Sequence, residues 1–191
     1  MRQATHALAR LLAASLVLEL ADAVSPLRIE GLVAAVFTPF SKDLQSLELG
    51  VVPAQHAYLN ATGVEWVFVG GTTGESLSLT TDERKALLEA WIAQPGANVI
   101  AHVGAESIID ATALAKHAEA SGARAIGAMP PTFFKPANVA SLAATIAAIC
   151  AAAPSLPCYY YHIPSKTGVA FAMYDFVVAI EPLAANFAGI K

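Results

Sequence analysis

The chain has 191 residues, enough for one domain with a buried core. Apolar residues make up 56% and charged residues only 14%, which excludes a disordered polymer. Net charge is −4 with no basic run or stripe, which excludes nucleic acid as the expected partner.

Along the chain, residues 1–28 come first as an N-terminal extension. Arg2 and Arg10 precede the apolar run Leu11 to Leu18, and Ala21-Asp22-Ala23 has the form of a cleavage site. An extra amphipathic helix is the preferred reading, with secretory or organellar targeting by residues 1–23 as the alternative. No apolar run approaches the ~20 residues of a spanning helix, so no membrane partner is expected.

The domain proper is placed at 29–191. Strand-like apolar runs occur at Leu32–Phe37, Trp66–Val69, Asn98–Val103, Ala123–Ala128, Cys158–Tyr161 and Phe187–Ile190. Helical patterns lie between them. Leu47–Leu59 has apolar residues at helical spacing. Thr80-Thr81-Asp82-Glu83 is a capping box opening Arg84–Trp91. Ser107 is an N-cap for Ile108–Ala120, and Gly122 supplies the left-handed position that ends it. Val139–Ala152 is stopped by Pro154, and Met173–Ile180 by Pro182.

Strand starts recur about every thirty residues, the period of strand–helix units with right-handed crossovers. The strands lack strict alternation, as strands covered on both faces should. A (β/α)8 TIM barrel and a doubly wound open sheet both fit. The polar residues favour the barrel, because Thr38, Gly70–Glu75, Pro130-Pro131-Thr132, Tyr161-His162 and Lys191 all fall at strand carboxyl ends. No G-x-G-x-x-G follows the first strand. Six of eight strands are counted, so the barrel is expected to be incomplete, with its first and sixth strands as open edges.

Gly70-Gly71-Thr72-Thr73-Gly74-Glu75 reads equally as an anion nest or as a glycine-rich turn, with Glu75 a buried carboxylate bonded to loop amides. In Tyr159-Tyr160-Tyr161, the first and third side chains share a face. Core packing explains them on periodicity alone, and proton shuttling beside a cation is the functional alternative. His162 reads as a structural hydrogen-bonder. Lys135, Arg124 and Arg84 read as solvated. The histidines show no metal-site spacing, and Cys150 and Cys158 read as two buried thiols. Lys191 in isolation reads as a solvated lysine, yet it ends an apolar strand. A neutral amine there would be a nucleophile toward carbonyls.

Four strings together resemble the pyruvate-dependent class I aldolase family that contains N-acetylneuraminate lyase and dihydrodipicolinate synthase. They are Gly31–Ala35 with Thr38-Pro39-Phe40, Gly71–Glu75, Tyr161–Pro164 with Thr167-Gly168-Val169, and Gly189-Ile190-Lys191. Within it, His102–Ala105, Lys116-His117-Ala118, Phe133–Pro136 and Tyr159–Pro164 resemble the N-acetylneuraminate lyases of the eukaryotic type. The resemblance implies Lys191 as the Schiff-base lysine, Tyr161 as the proton donor and acceptor, and Thr72 and Thr73 as the substrate-carboxylate grip. It implies reversible cleavage of N-acetylneuraminate (sialic acid) to N-acetylmannosamine and pyruvate, with no metal or other cofactor. A cytoplasmic homotetramer is implied as well. Lys166 stands where the synthases bind a second substrate carboxylate. That keeps a dihydrodipicolinate synthase or another keto-acid aldolase as an alternative, beside a non-catalytic fragment.

Overall fold

The computed structural model describes residues 27–191. The two readings of the N-terminal extension lie outside the described residues, apart from its last two positions.

Six parallel strands form one sheet: β1 (Val33–Ala35), β2 (Trp66–Val69), β3 (Asn98–His102), β4 (Ala125–Ala128), β5 (Cys158–Tyr160) and β6 (Phe187–Ile190). Their spatial order is their chain order, β1-β2-β3-β4-β5-β6. A doubly wound sheet would reverse direction at a switch point, and this sheet does not. The architecture is therefore a partial (β/α)8 barrel, with β1 and β6 each paired on one side among the described residues.

The helices are α1 (Val52–Ala61), α2 (Thr81–Ile92), α3 (Ile108–Ser121), α4 (Val139–Cys150), the single turn α5 (Pro164–Thr167) and α6 (Met173–Ile180). Local chemistry sets their starts. Thr80 Oγ1 accepts from Glu83 N–H, and the Glu83 carboxylate accepts from Thr80 N–H, closing the capping box of α2. Helical hydrogen bonding begins at Thr81, inside that box, rather than at Arg84. Ser107 caps α3, and Gly122 ends it at φ 92°. Asn138 and Ser141 cap α4 reciprocally, a signal the sequence reading passed over. The helix expected from Leu47 instead starts at Val52, because Leu47 bridges Phe40 and Leu49–Val51 winds as a 3-10 turn.

Two apolar clusters divide the sheet's faces. Val67, Val69, Val99, Ala101, Ile126, Ala128 and Tyr160 meet the helices in the larger one. Trp66, Phe68, Ile100, Ala125, Met129 and Tyr161 form the barrel's inner cluster. Tyr159 joins the inner side and Tyr160 the outer, as the period of two requires.

The cysteines are not free. Cys150 ends α4, Cys158 opens β5, and the two are joined in a disulfide with Cα atoms 5.5 Å apart. The tight turn between helix and strand brings together residues that spacing alone left as separate thiols. Among the described residues no helix is long and apolar enough to cross a membrane.

Candidate active site

Four strand ends converge at the carboxyl end of the sheet. After β2 the backbone turns sharply, with Gly70 at φ 67° and Glu75 at φ 52°. Glu75 N–H donates to Thr72 O and Ser76 N–H to Gly71 O, so the loop closes on itself. Thr38 Oγ1 donates to Gly74 O at 2.6 Å and ties the loop to the segment after β1. A Cβ on Gly71 would lie 2.6 Å from the Phe68 ring, so only glycine lets the loop pass that close.

This winding sets Thr72 Oγ1 3.0 Å from Tyr161 Oη, in a shared hydrogen bond. Lys191 arrives on the strand next to Tyr161. Its N–H donates to Tyr160 O, and His162 N–H donates to Lys191 O. Lys191 Nζ then stands 3.8 Å from the Tyr161 ring centroid and 4.6 Å from that of Phe68. The ring faces present negative charge to the ammonium. Phe68, His102 and Tyr161 pack mutually at 5.3–5.8 Å between centroids and hold the phenol in place.

The residues that touch Tyr161 line two cavities, Thr72 one and Phe68 and Lys191 the other. One of about 260 Å³ is lined by Thr72, Glu75, Ser76, Met129, Thr132 and Lys166, among others. The other, about 160 Å³, lies on the inner side against Phe68, Ile100, Tyr159 and Lys191. Thr72, Tyr161 and Lys191 thus meet. Thr73 sits half-buried in the same loop but does not line the Thr72 cavity.

Residues 28–191 match the Dihydrodipicolinate synthetase family. The chain belongs to that family. It is 44% identical over 169 residues to N-acetylneuraminate lyase of Danio rerio, covering 86% of this chain and 54% of that protein. With N-acetylneuraminate lyase of Gallus gallus the figures are 41% over 168 residues, 86% and 54%. Proteus mirabilis N-acetylneuraminate lyase superimposes with a TM-score of 0.82 at 37% identity, over 86% of this chain and 56% of that one. DHDPS from Cyanidioschyzon merolae, solved with lysine bound, gives 0.75 at 29%, over 83% and 54%. The chain thus spans about half the length of these relatives.

Within this dihydrodipicolinate synthetase domain, three residues depart from the sequence reading. Glu75 is exposed, because its left-handed backbone turns the side chain toward the larger cavity instead of the loop amides. Arg84 is buried, donating through Nη1 to Gly104 O at 2.9 Å and through Nη2 to His102 O at 2.8 Å. Burial lowers its pKa to about 10. His162 contributes its backbone N–H, but its ring Nδ1 has no partner among the described residues.

Two further groups shape the site without a sequence signal. His102 is buried on the inner end of β3 with Nδ1 2.7 Å from Gly70 O. Burial, then the Arg84 guanidinium, pushes its pKa down to about 3, so the ring is neutral. Glu106 accepts from Thr132 Oγ1, Thr132 N–H and Phe133 N–H, pinning the loop after β4 to the one after β3. Its burial acts upward on the pKa, but these hydrogen bonds outweigh it and the net shift is downward.

Proposed function

We propose that the domain is the catalytic half of a class I aldolase that cleaves N-acetylneuraminate to N-acetylmannosamine and pyruvate, reversibly. The observation that carries this reading is the meeting of Thr72, Tyr161 and Lys191, with Oγ1 and Oη 3.0 Å apart and Nζ 3.8 Å from the phenol ring.

The chemistry runs through the lysine. The Lys191 ammonium first gives up a proton; the resulting amine adds to the C2 ketone, and loss of water gives a protonated imine. That cation is an electron sink. Tyr161 removes the proton of the C4 hydroxyl, the C3–C4 bond breaks, and its electron pair moves into the imine to form an enamine. N-acetylmannosamine leaves as the aldehyde. Protonation at C3 and addition of water then release pyruvate and the free amine. Thr72, with Thr73 beside it in the loop, holds the substrate carboxylate so that the ketone faces the amine. The imine supplies the electron sink, so the step calls for no metal or organic cofactor. A cytoplasmic homotetramer is the assembly proposed from the family resemblance.

Borohydride reduction with pyruvate is expected to leave a pyruvyl-derived mass on Lys191. Labelling at Lys166, or none, refutes the assignment. One observation favours a second reading: Lys166 lines the same cavity as Thr72, where a second anionic group of a substrate would find it. Turnover of pyruvate with aspartate semialdehyde, and none of N-acetylneuraminate, would replace the lyase by a dihydrodipicolinate synthase.

A further inference from the structure

We propose that His102 is a positioning residue: through Nδ1–H it holds the Gly70 carbonyl, and so fixes the turn that brings Thr72 to Tyr161. This goes beyond the proposed lyase chemistry, and its link to catalysis rests on that reading.

The argument begins with the hydrogen bond. A carbonyl oxygen only accepts, so the 2.7 Å contact to Gly70 O places the proton on His102 Nδ1; Arg84 Nη2, 3.5 Å from the same nitrogen, is then a contact and not a hydrogen bond, its donor being used at 2.8 Å on His102 O. Nε2 then carries a lone pair and is buried with no hydrogen-bond partner among the described residues. A ring whose second nitrogen is left unsatisfied is not optimised for solubility or simple packing, where phenylalanine would cost less. What the imidazole adds over a phenyl ring is one donor, aimed at the first residue of the Gly70–Glu75 turn.

The loop's own hydrogen bonds and the Thr38 tie act on the carbonyls of Gly71, Thr72 and Gly74, and His102 takes that of Gly70. Gly70 is in the left-handed region, where glycine is conformationally free, so an outside contact must select the angle. His102 is in turn fixed from the helix layer. Arg84, on α2, donates to the carbonyls of both His102 and Gly104. Gly104 packs against the Met129 backbone so closely that a Cβ would lie 2.7 Å from its N and O atoms. On the other side, the imidazole meets the Tyr161 ring edge-on at 5.7 Å between centroids. One side chain therefore contacts the Gly70 carbonyl, two residues before Thr72, by hydrogen bond and the phenol of Tyr161 by packing.

The test uses two variants of the full chain. His102→Phe keeps the ring's bulk and removes the donor; His102→Asn restores a donor near the Nδ1 position. Amide hydrogen exchange at residues 71–75 is expected to rise roughly tenfold or more in His102→Phe, since a buried carbonyl loses its partner. It should return toward wild type in His102→Asn. A packing role predicts the opposite order, with His102→Phe closer to wild type. Unchanged loop exchange in His102→Phe overturns the proposal. So does an imidazole 15N spectrum of the wild-type chain that places the proton on Nε2, a measurement that needs no variant. Pyruvate trapping, followed in parallel, is expected to fall with the loop in His102→Phe. Absence of trapping in the wild type would remove the lyase reading alone, because exchange and the ring spectrum still decide the role of His102.

Discussion

Reducing the Cys150–Cys158 bridge isolates the contribution of one cross-link. The two residues are eight apart in sequence. For a ring of that size the chain-entropy relation gives about 8 cal/mol/K, or about 2.5 kcal/mol of stability at 25 °C. The native side of the balance changes little. Both sulfurs are fully buried and remain as small apolar groups after reduction. Asn186 Nδ2 also donates to the carbonyls of Cys150, Ala153 and Leu156 at 3.0, 3.0 and 2.9 Å, so the turn keeps its path without the bridge. The loss therefore comes from the unfolded ensemble. For a chain of this size it lowers Tm by roughly 5–10 °C. The assay compares thermal melts of chain refolded with and without a phosphine reductant, with thiols counted by alkylation and mass. An unchanged Tm after verified reduction would refute the entropic magnitude. Two alkylated thiols in denatured chain never exposed to reductant would refute the bridge itself. Quenching the thiols during isolation also tests the cytoplasmic proposal, since a reducing cytosol would open such a bridge.

Tyr161→Phe removes the hydroxyl shared with Thr72 and is expected to lower turnover by about 10²–10⁴-fold. Pyruvate trapping at Lys191 should survive, and equal loss of both would refute a proton-transfer role. Gly127→Ala places a Cβ 2.9 Å from Phe68 Cε2, and the ring must shift toward Lys191 or the strand must move. Chemical denaturation should show a cost of about 1–3 kcal/mol, and a neutral result would mean that Phe68 is looser than its packing implies. Glu106 has a depressed folded pKa, so its contribution is fully present above the ordinary glutamate value of about 4.3 and fades as pH falls through the lower folded value. Because the carboxylate is largely exposed, the effect should stay under about 1 kcal/mol. Glu106→Gln should flatten that acid limb in a pH series of melts, and an unchanged limb would count against the clamp.

The sequence was most legible where one local signal sufficed. The β2 and β6 spans and α6 match their expected bounds, β2 as a buried aromatic and β-branched run and α6 by its proline stop. The Thr80 box and Gly122 ended or began helices as their chemistry requires. Arg84 was missed for a physical reason. A guanidinium in a charged helix turn reads as solvated, and only the tertiary fold supplies the two carbonyls that satisfy it. His102 and Glu106 were missed likewise, since each acts through a partner more than twenty residues away. The Thr72–Tyr161–Lys191 cluster was expected only through family resemblance, because its members come from three separate strand ends. Core packing of the tyrosines also held, since Tyr160 and Tyr161 are both buried.

The direction in which Lys191 points depends on an irregularity that no residue pattern announced. In a regular strand, Phe187 and Lys191, an even number of residues apart, would share a face. They do not. Phe187 packs against Phe176 on the helix side, with ring centroids 5.8 Å apart, whereas Lys191 lies over Tyr161 on the inner side. The pairing of β6 with β5 resolves the conflict. Cys158 opposes Phe187, but Tyr159 opposes Gly189, so Ala188 is the extra residue of a bulge. Gly189, at φ 144°, takes the backbone through it in a conformation that side-chain-bearing residues rarely adopt. A bulge of this kind re-aims the side chains that follow it. Here it lets one short strand do two incompatible things: anchor an aromatic in the helix layer and deliver an amine to the barrel interior. Glycine two residues before the lysine is thus part of how the site is aimed, although it touches no reacting atom.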